Sequence, residues 1–276
     1  MNAIETQNLT KTFPGFTLDR LNLSLPTGTI LGLVGENGAG KSTTIKILLG
    51  MLQSDSGSFT LLGSGKPDME DVGVVLDEPG FPLCLTAAQI GKIMGDIYRR
   101  WDPALYNQYL SRFDLPLKKH YSDFSRGMKM MLAIAVALSH QPKLLILDEA
   151  TNGLDPMVRD EILDIFNDFT RDETHSILIS SHIVSDLEKI CDYIAFLHKG
   201  KLILYEEKDA LYQRYGRIVC SKEDFETLVP AAVKGKKASP YGVEAIVDRE
   251  MVPPQWDLSP VSIEDLFIFM AKEDMQ

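Results

Sequence analysis

Gly35-Glu36-Asn37-Gly38-Ala39-Gly40-Lys41-Ser42 has the spacing G-x-x-x-x-G-K-[ST], which suits a chain of phosphates. Glycines let backbone N–H groups turn inward around a polyanion, and the start of a helix adds partial positive charge there. Lys41 is expected to reach the β- and γ-phosphates, and Ser42 to hold Mg²⁺. Gly35, Asn37, Gly38, Ala39, Gly40 and Thr43 complete the expected cradle. Farther along, Leu144-Leu145-Ile146-Leu147-Asp148-Glu149 is an apolar run ending in two acids. Asp148 can face the Mg²⁺ at Ser42, and Glu149 can polarise an attacking water as a general base. Alone, such an acidic strand end is as readily a solvated one. Beside a phosphate loop it points to binding and hydrolysis of a nucleoside triphosphate, with Mg²⁺ as cofactor.

Particular elements must hold these residues. Ile30-Leu31-Gly32-Leu33-Val34 reads as a buried strand leading into the loop, and Thr43 to Leu49 as the helix leaving it. Upstream, Leu21, Leu23 and Leu25 alternate with polar residues, and Pro26-Thr27-Gly28 turns the chain. Further strands are predicted at 57–62, 71–76, 143–147, 176–179 and 193–197. Helices are predicted over 86–101, 103–113, 127–138, 156–169 and 183–190. The stretch 127–138 is apolar nearly all round and so reads as a buried helix. Helices alternating with apolar strands indicate an α/β fold with a mostly parallel core sheet, preceded by an antiparallel β region. The helix-rich stretch 85–138 interrupts that alternation as a helical subdomain. Residues 1–213 form the expected main domain and 214–276 a small α+β extension. Within the extension, Lys234 to Pro240 reads as an exposed loop. The stretch 261–272 reads as a helix capped by Ser262, with Ile263, Leu266, Phe267 and Met270 on its apolar face.

Composition excludes several classes. A net charge of -11 over 276 residues opposes general binding to nucleic acid, whose phosphates demand a basic surface. The three cysteines, Cys84, Cys191 and Cys220, are widely separated and form no C-x-x-C pair, which fits a reducing cytosol better than a disulfide framework. Met1 to Glu5 carries no secretory pattern, and no apolar run approaches the roughly 18–20 residues of a membrane span.

The residues around these motifs resemble the ATP-binding-cassette (ABC) ATPases, in matching order from about residue 2 to residue 212. Phe124-Ser125-Arg126-Gly127-Met128-Lys129 resembles the family's L-S-G-G-Q signature, with Arg126 for its first glycine and Met128 for its glutamine. Asn152-Gly153-Leu154-Asp155 resembles the loop that crosses the dimer interface, His182 the switch histidine, and Phe13 the ring placed against adenine. Asp77, in Val74-Val75-Leu76-Asp77-Glu78-Pro79, stands where the family has a glutamine on the metal side; Glu78 is its neighbouring alternative.

The resemblance implies an ATP-hydrolysing subunit with Lys41, Glu149 and His182 in catalysis and Ser42, Asp148 and Asp77 on the metal. It also implies two ATP molecules clamped between head-to-tail cassettes, identical or different, with Ser125 and Gly127 of one facing the γ-phosphate of the other. Separate integral membrane subunits are implied too, one inserting a cytoplasmic helix near Asp77 to Trp101, with this chain on the inner face of the membrane. The signature variant resembles a bacterial subgroup exporting antibiotics, peptides or lipid-like molecules. The alternatives are a soluble ATPase of the same fold with a non-transport role, and a non-hydrolysing regulatory module. A GTPase would need an N-K-x-D motif, which is lacking.

Overall fold

The computed structural model describes residues 1–240 and 242–273. The chain opens with β1 (Asn2–Phe13), β2 (Phe16–Leu21) and β3 (Ser24–Pro26). It then enters β4 (Ile30–Val34), every residue of which is buried, turns through the phosphate loop and continues as α1 (Lys41–Leu48). The strand β5 (Ser56–Leu61) returns to pair with β1, so β1, β2, β3 and β5 form one antiparallel sheet. Leu21, Leu23 and Leu25 point into the core as their alternation predicts.

Next come β6 (Val72–Val75), α2 (Ala87–Ile97), α3 (Pro103–Arg112), α4 (Arg126–Ser139) and β7 (Leu144–Asp148). They are followed by α5 (Pro156–Phe169), β8 (Ser176–Ser181), α6 (Val184–Ile190), β9 (Tyr193–His198) and β10 (Lys201–Glu207). The central sheet has the order β10-β9-β4-β8-β7-β6, with only the edge strand β10 antiparallel. Side chains fix the helix starts. Thr86 and Gln89 close a capping box on α2, and Asp102 caps α3 ahead of Pro103. Asp155 accepts from the Met157 and Val158 N–H groups at the start of α5. The predicted helix over 86–101 ends sooner, at Ile97, because Trp101 turns back to pack on Tyr106 with ring centroids 5.0 Å apart.

Register sets up the chemistry. Val34 pairs with Ser181 and Asp148 with Ser180, so β4, β7 and β8 end at one level. The crevice beyond the carboxyl ends of parallel strands is where open α/β sheets bind ligands.

The chain finishes with α7 (Lys208–Arg214), β11 (Tyr215–Cys220), α8 (Lys222–Phe225), β12 (Val233–Ser239), β13 (Gly242–Asp248) and α9 (Ile263–Glu273). The last three strands form a separate antiparallel sheet, β11-β13-β12. The loop expected over Lys234 to Pro240 is corrected here: Val233–Ser239 is a strand paired along β13. Its lysines read as loop, but Lys236 and Lys237 are exposed on an edge strand, a placement that discourages further pairing. Gly235 is needed because any side chain there would overlap the Phe269 carbonyl of α9. Ser262 caps α9 as expected, accepting from Asp265 N–H at 3.0 Å. Ile263, Leu266 and Phe269 are buried, whereas Phe267 and Met270 are only half-buried. Residues 241 and 274–276 of the predicted extension lie outside the described residues.

Candidate nucleotide site

The phosphate loop has the backbone its sequence demands. Gly38 and Gly40 have φ of 82° and 114°, in the left-handed region that favours glycine. A side chain at Gly35 would run into the Leu197 carbonyl, 2.5 Å from the position of its Cβ. Lys41, 5 % exposed, donates from Nζ to the Gly35 carbonyl at 2.7 Å. The same Nζ lies 3.3 Å from Glu149 Oε1. The ammonium is thus held at the mouth of the loop between a carbonyl and a carboxylate.

The acids at the end of β7 differ in environment. Asp148, 4 % exposed, accepts from Ser180 Oγ at 2.6 Å, which fixes its carboxylate at the sheet edge. Glu149 departs from the strand with φ of 53°, rare for a residue with a side chain. Its N–H donates to the Ser180 carbonyl at 3.1 Å, which holds the turn. His182 Nδ1 lies 2.6 Å from Glu149 Oε2, and His182 N–H donates to the same oxygen at 3.3 Å. Lys41, Glu149 and His182 therefore form one connected chain from the phosphate loop to the end of β8.

These residues line a cleft of about 890 Å³. From the loop come Asn37, Gly38, Gly40, Lys41, Ser42 and Thr43, and opposite them Asp77, Glu149 and His182. Gly35, Ala39 and Asp148, all buried, support this lining from behind. Ser125 and Gly127 lie outside the cleft: Ser125 caps α4, accepting from Met128 N–H at 3.2 Å. Gly127 packs close to Leu154. Phe13 does not line the cleft either. It is 37 % exposed at the end of β1, its ring 6.3 Å from that of Phe16, which does line it.

The structure adds Ser180 and Phe16, to which the sequence assigned no role, and it brings Glu36, Asn152 and Arg126, recognised only as members of their motifs, to the border of this site. Ser180 is brought in by a distant segment, whereas Phe16 could have been found from its place directly after the Pro14-Gly15 turn. Asp77 Oδ1 accepts from Arg126 Nη2 at 2.6 Å, so its charge has a cationic partner. The Ser42 hydroxyl and the Asp148 and Asp77 carboxylates are hard oxygen donors, which suit Mg²⁺. No group of three or more His, Cys, Asp or Glu gathers as a metal cage among the described residues. That donor set fits a cation arriving with phosphates, which supply its remaining ligands.

A phosphate loop at the carboxyl end of a parallel sheet, facing a buried Asp and a general-base candidate, defines a nucleoside-triphosphate-binding protein of the P-loop class. The family model described as ABC transporter matches residues 18–152. The chain is 38% identical over 213 residues to the lantibiotic transport ATP-binding protein SrtF of Streptococcus pyogenes, covering 75% of this chain and 91% of that one. It is 38% identical over 208 residues to the bacitracin transport ATP-binding protein BcrA of Bacillus licheniformis, covering 72% of this chain and 68% of that one. A solved structure of the ATP binding subunit of an ABC transporter superposes with a TM-score of 0.68 at 25% identity, covering 76% of this chain and 92% of that one. The chain belongs to the ABC transporter family, as an ATP-binding ATPase subunit.

Proposed function

We propose that two such cassettes, identical or different, bind two ATP molecules head to tail and drive export of a peptide antibiotic or a related amphipathic molecule through separate membrane subunits. The observation that carries the hydrolytic part is the contact chain Lys41–Glu149–His182 within one cleft. Lys41 releases Glu149 to bind the β- and γ-phosphates. Glu149 then accepts the proton of the attacking water, and His182 holds the carboxylate and the γ-phosphate in line. Ser42, Asp148 and Asp77 would hold Mg²⁺, which would neutralise phosphate charge. The N–H groups of Gly35, Asn37, Gly38, Ala39, Gly40 and Thr43 surround the phosphates. Phe13, beside Phe16, stacks on adenine.

The start of α4, with Ser125 and Gly127, faces the γ-phosphate of the opposite cassette. The two named relatives transport a lantibiotic and bacitracin, which supports an antibiotic-type substrate here. No helix among the described residues is long and apolar enough to cross a membrane, which fits attachment to the cytoplasmic membrane face through partner subunits. A groove of about 530 Å³ between α2 and α3, floored by Gly91, Gly95, Trp101 and Tyr106, receives a helix of the membrane partner. Residues 1–213, with the helical subdomain 85–138, form the motor, and the extension from 214 supports pairing. Light scattering of Glu149→Gln with Mg²⁺ and ATP tests the clamp: slow turnover should accumulate a dimer that the nucleotide-free protein lacks. A monomer under both conditions would contradict pairing of two identical cassettes.

A further inference from the structure

Arg126 and Asp77 are two positions where this chain departs from its family's usual residues, and in the fold they touch. Arg126 is the first residue of α4, and Asp77 lies just beyond β6. Their side chains meet at 2.6 Å, Nη2 to Oδ1, and both border the cleft that holds Lys41 and Glu149. On the way the guanidinium stem crosses Gly153, in the loop that follows Glu149. A Cβ at Gly153 would stand 3.2 Å from Arg126 Cδ, and its φ of 77° also favours glycine. One side chain thus spans three segments: the start of the signature helix, the loop after the general base, and the loop after β6. The contact runs through Oδ1 of Asp77.

We propose that Arg126 is a positioning residue for ATP turnover, acting through Asp77. The pair fastens the start of α4 to the nucleotide cleft of its own chain, so that closure around ATP moves both together. It also balances the Asp77 carboxylate, which would otherwise add an unpaired negative charge beside a polyphosphate. Charge pairing explains why the two replacements occur together: a glycine at 126 would leave Asp77 unpartnered, and a glutamine at 77 would give Arg126 no anion. At 55 % and 43 % side-chain exposure the pair adds little to stability, so its effect is expected in turnover.

This inference takes its activity readout from the ATPase reading, and its test separates the two. Wild type, Arg126→Gln, Asp77→Asn and the double variant of the full chain are compared in ATP turnover against Mg²⁺ concentration. The same four are compared in binding of a fluorescent ATP analogue. Each single variant should lose about threefold or more in kcat/KM or in analogue affinity, and shift the half-saturating Mg²⁺ in the same direction. The double variant should be no worse than the poorer single one, and Arg126→Lys should recover part of the loss. Thermal midpoints of all four should agree within a few degrees. Losses that multiply in the double variant would overturn the proposal while leaving ATP hydrolysis intact. So would unchanged behaviour in both single variants, or losses that merely follow a fall in thermal midpoint.

Discussion

Lys41 and Glu149 are both nearly buried, and each is partnered by the other and by backbone or His182. A buried cation left without its partner is strongly destabilising, whereas an isosteric amide keeps shape and hydrogen bonding. Glu149→Gln should therefore remain folded and bind ATP while turnover falls roughly 10²–10⁴-fold, as for loss of a general base. Single-turnover hydrolysis with nucleotide binding measured in parallel checks this, and wild-type turnover in the variant would refute the role. At this scale Lys41, Ser42, Asp148 and Glu149 were legible because each motif is contiguous in sequence. The Ser180 hydroxyl on Asp148 and the Arg126–Asp77 pair were not, since each joins segments that only the fold brings together. Neither serine nor arginine carries a spacing rule that would have announced such a contact.

Most elements follow from periodicity and capping, and the misread ones have physical causes. The strand β12 looks polar because it is an edge, and its backbone bonds come from β13 whatever its side chains. Packing rather than propensity also decides the environment of His140, which ends α4. The residue is 1 % exposed, and its ring stacks on Tyr98 with centroids 4.0 Å apart. Burial lowers its pKa from 6.5 to about 4, with Glu70 opposing the shift and Arg100 aiding it. The unfolded chain then binds more protons between these two values. Stability is full above about pH 6.5 and falls as pH drops toward 4. His140→Phe keeps a stacking ring without a titrating group. Urea unfolding at pH 7 and pH 4.5 should show a smaller acid loss in that variant than in wild type, by at most about 3 kcal/mol. Equal acid losses would contradict the assignment.

Across the whole molecule, one apolar core runs from the central sheet into the C-terminal sheet. Tyr215, Ile246, Ile263, Leu266 and Phe269 belong to the same cluster as Phe166 and Ile179. The helix α9 joins the two sheets, and the Ile263 N–H donates to Glu188 of α6 at 2.5 Å. The opposite face of the small sheet has its own core of Ile218, Leu228, Ala245 and Val247. Phe269→Ala should cost about 3–5 kcal/mol and lower the thermal midpoint of the whole chain. A midpoint change confined to a minor separate transition would instead mark the extension as an independent unit. The sequence conveyed the motor fold through its strand-helix alternation. It conveyed this junction poorly, because the buried face of α9 depends on what it packs against, and Phe269 faces the core while Phe267 and Met270 are only half-buried.

The central claim is that this cleft hydrolyses ATP only when two cassettes close around it. Mg²⁺-dependent hydrolysis by the purified chain, followed across a wide range of protein concentration, tests it most directly. Turnover per molecule that rises with concentration is the predicted result. Turnover per molecule that stays constant from the dilute limit upward, where no dimer forms, would contradict it.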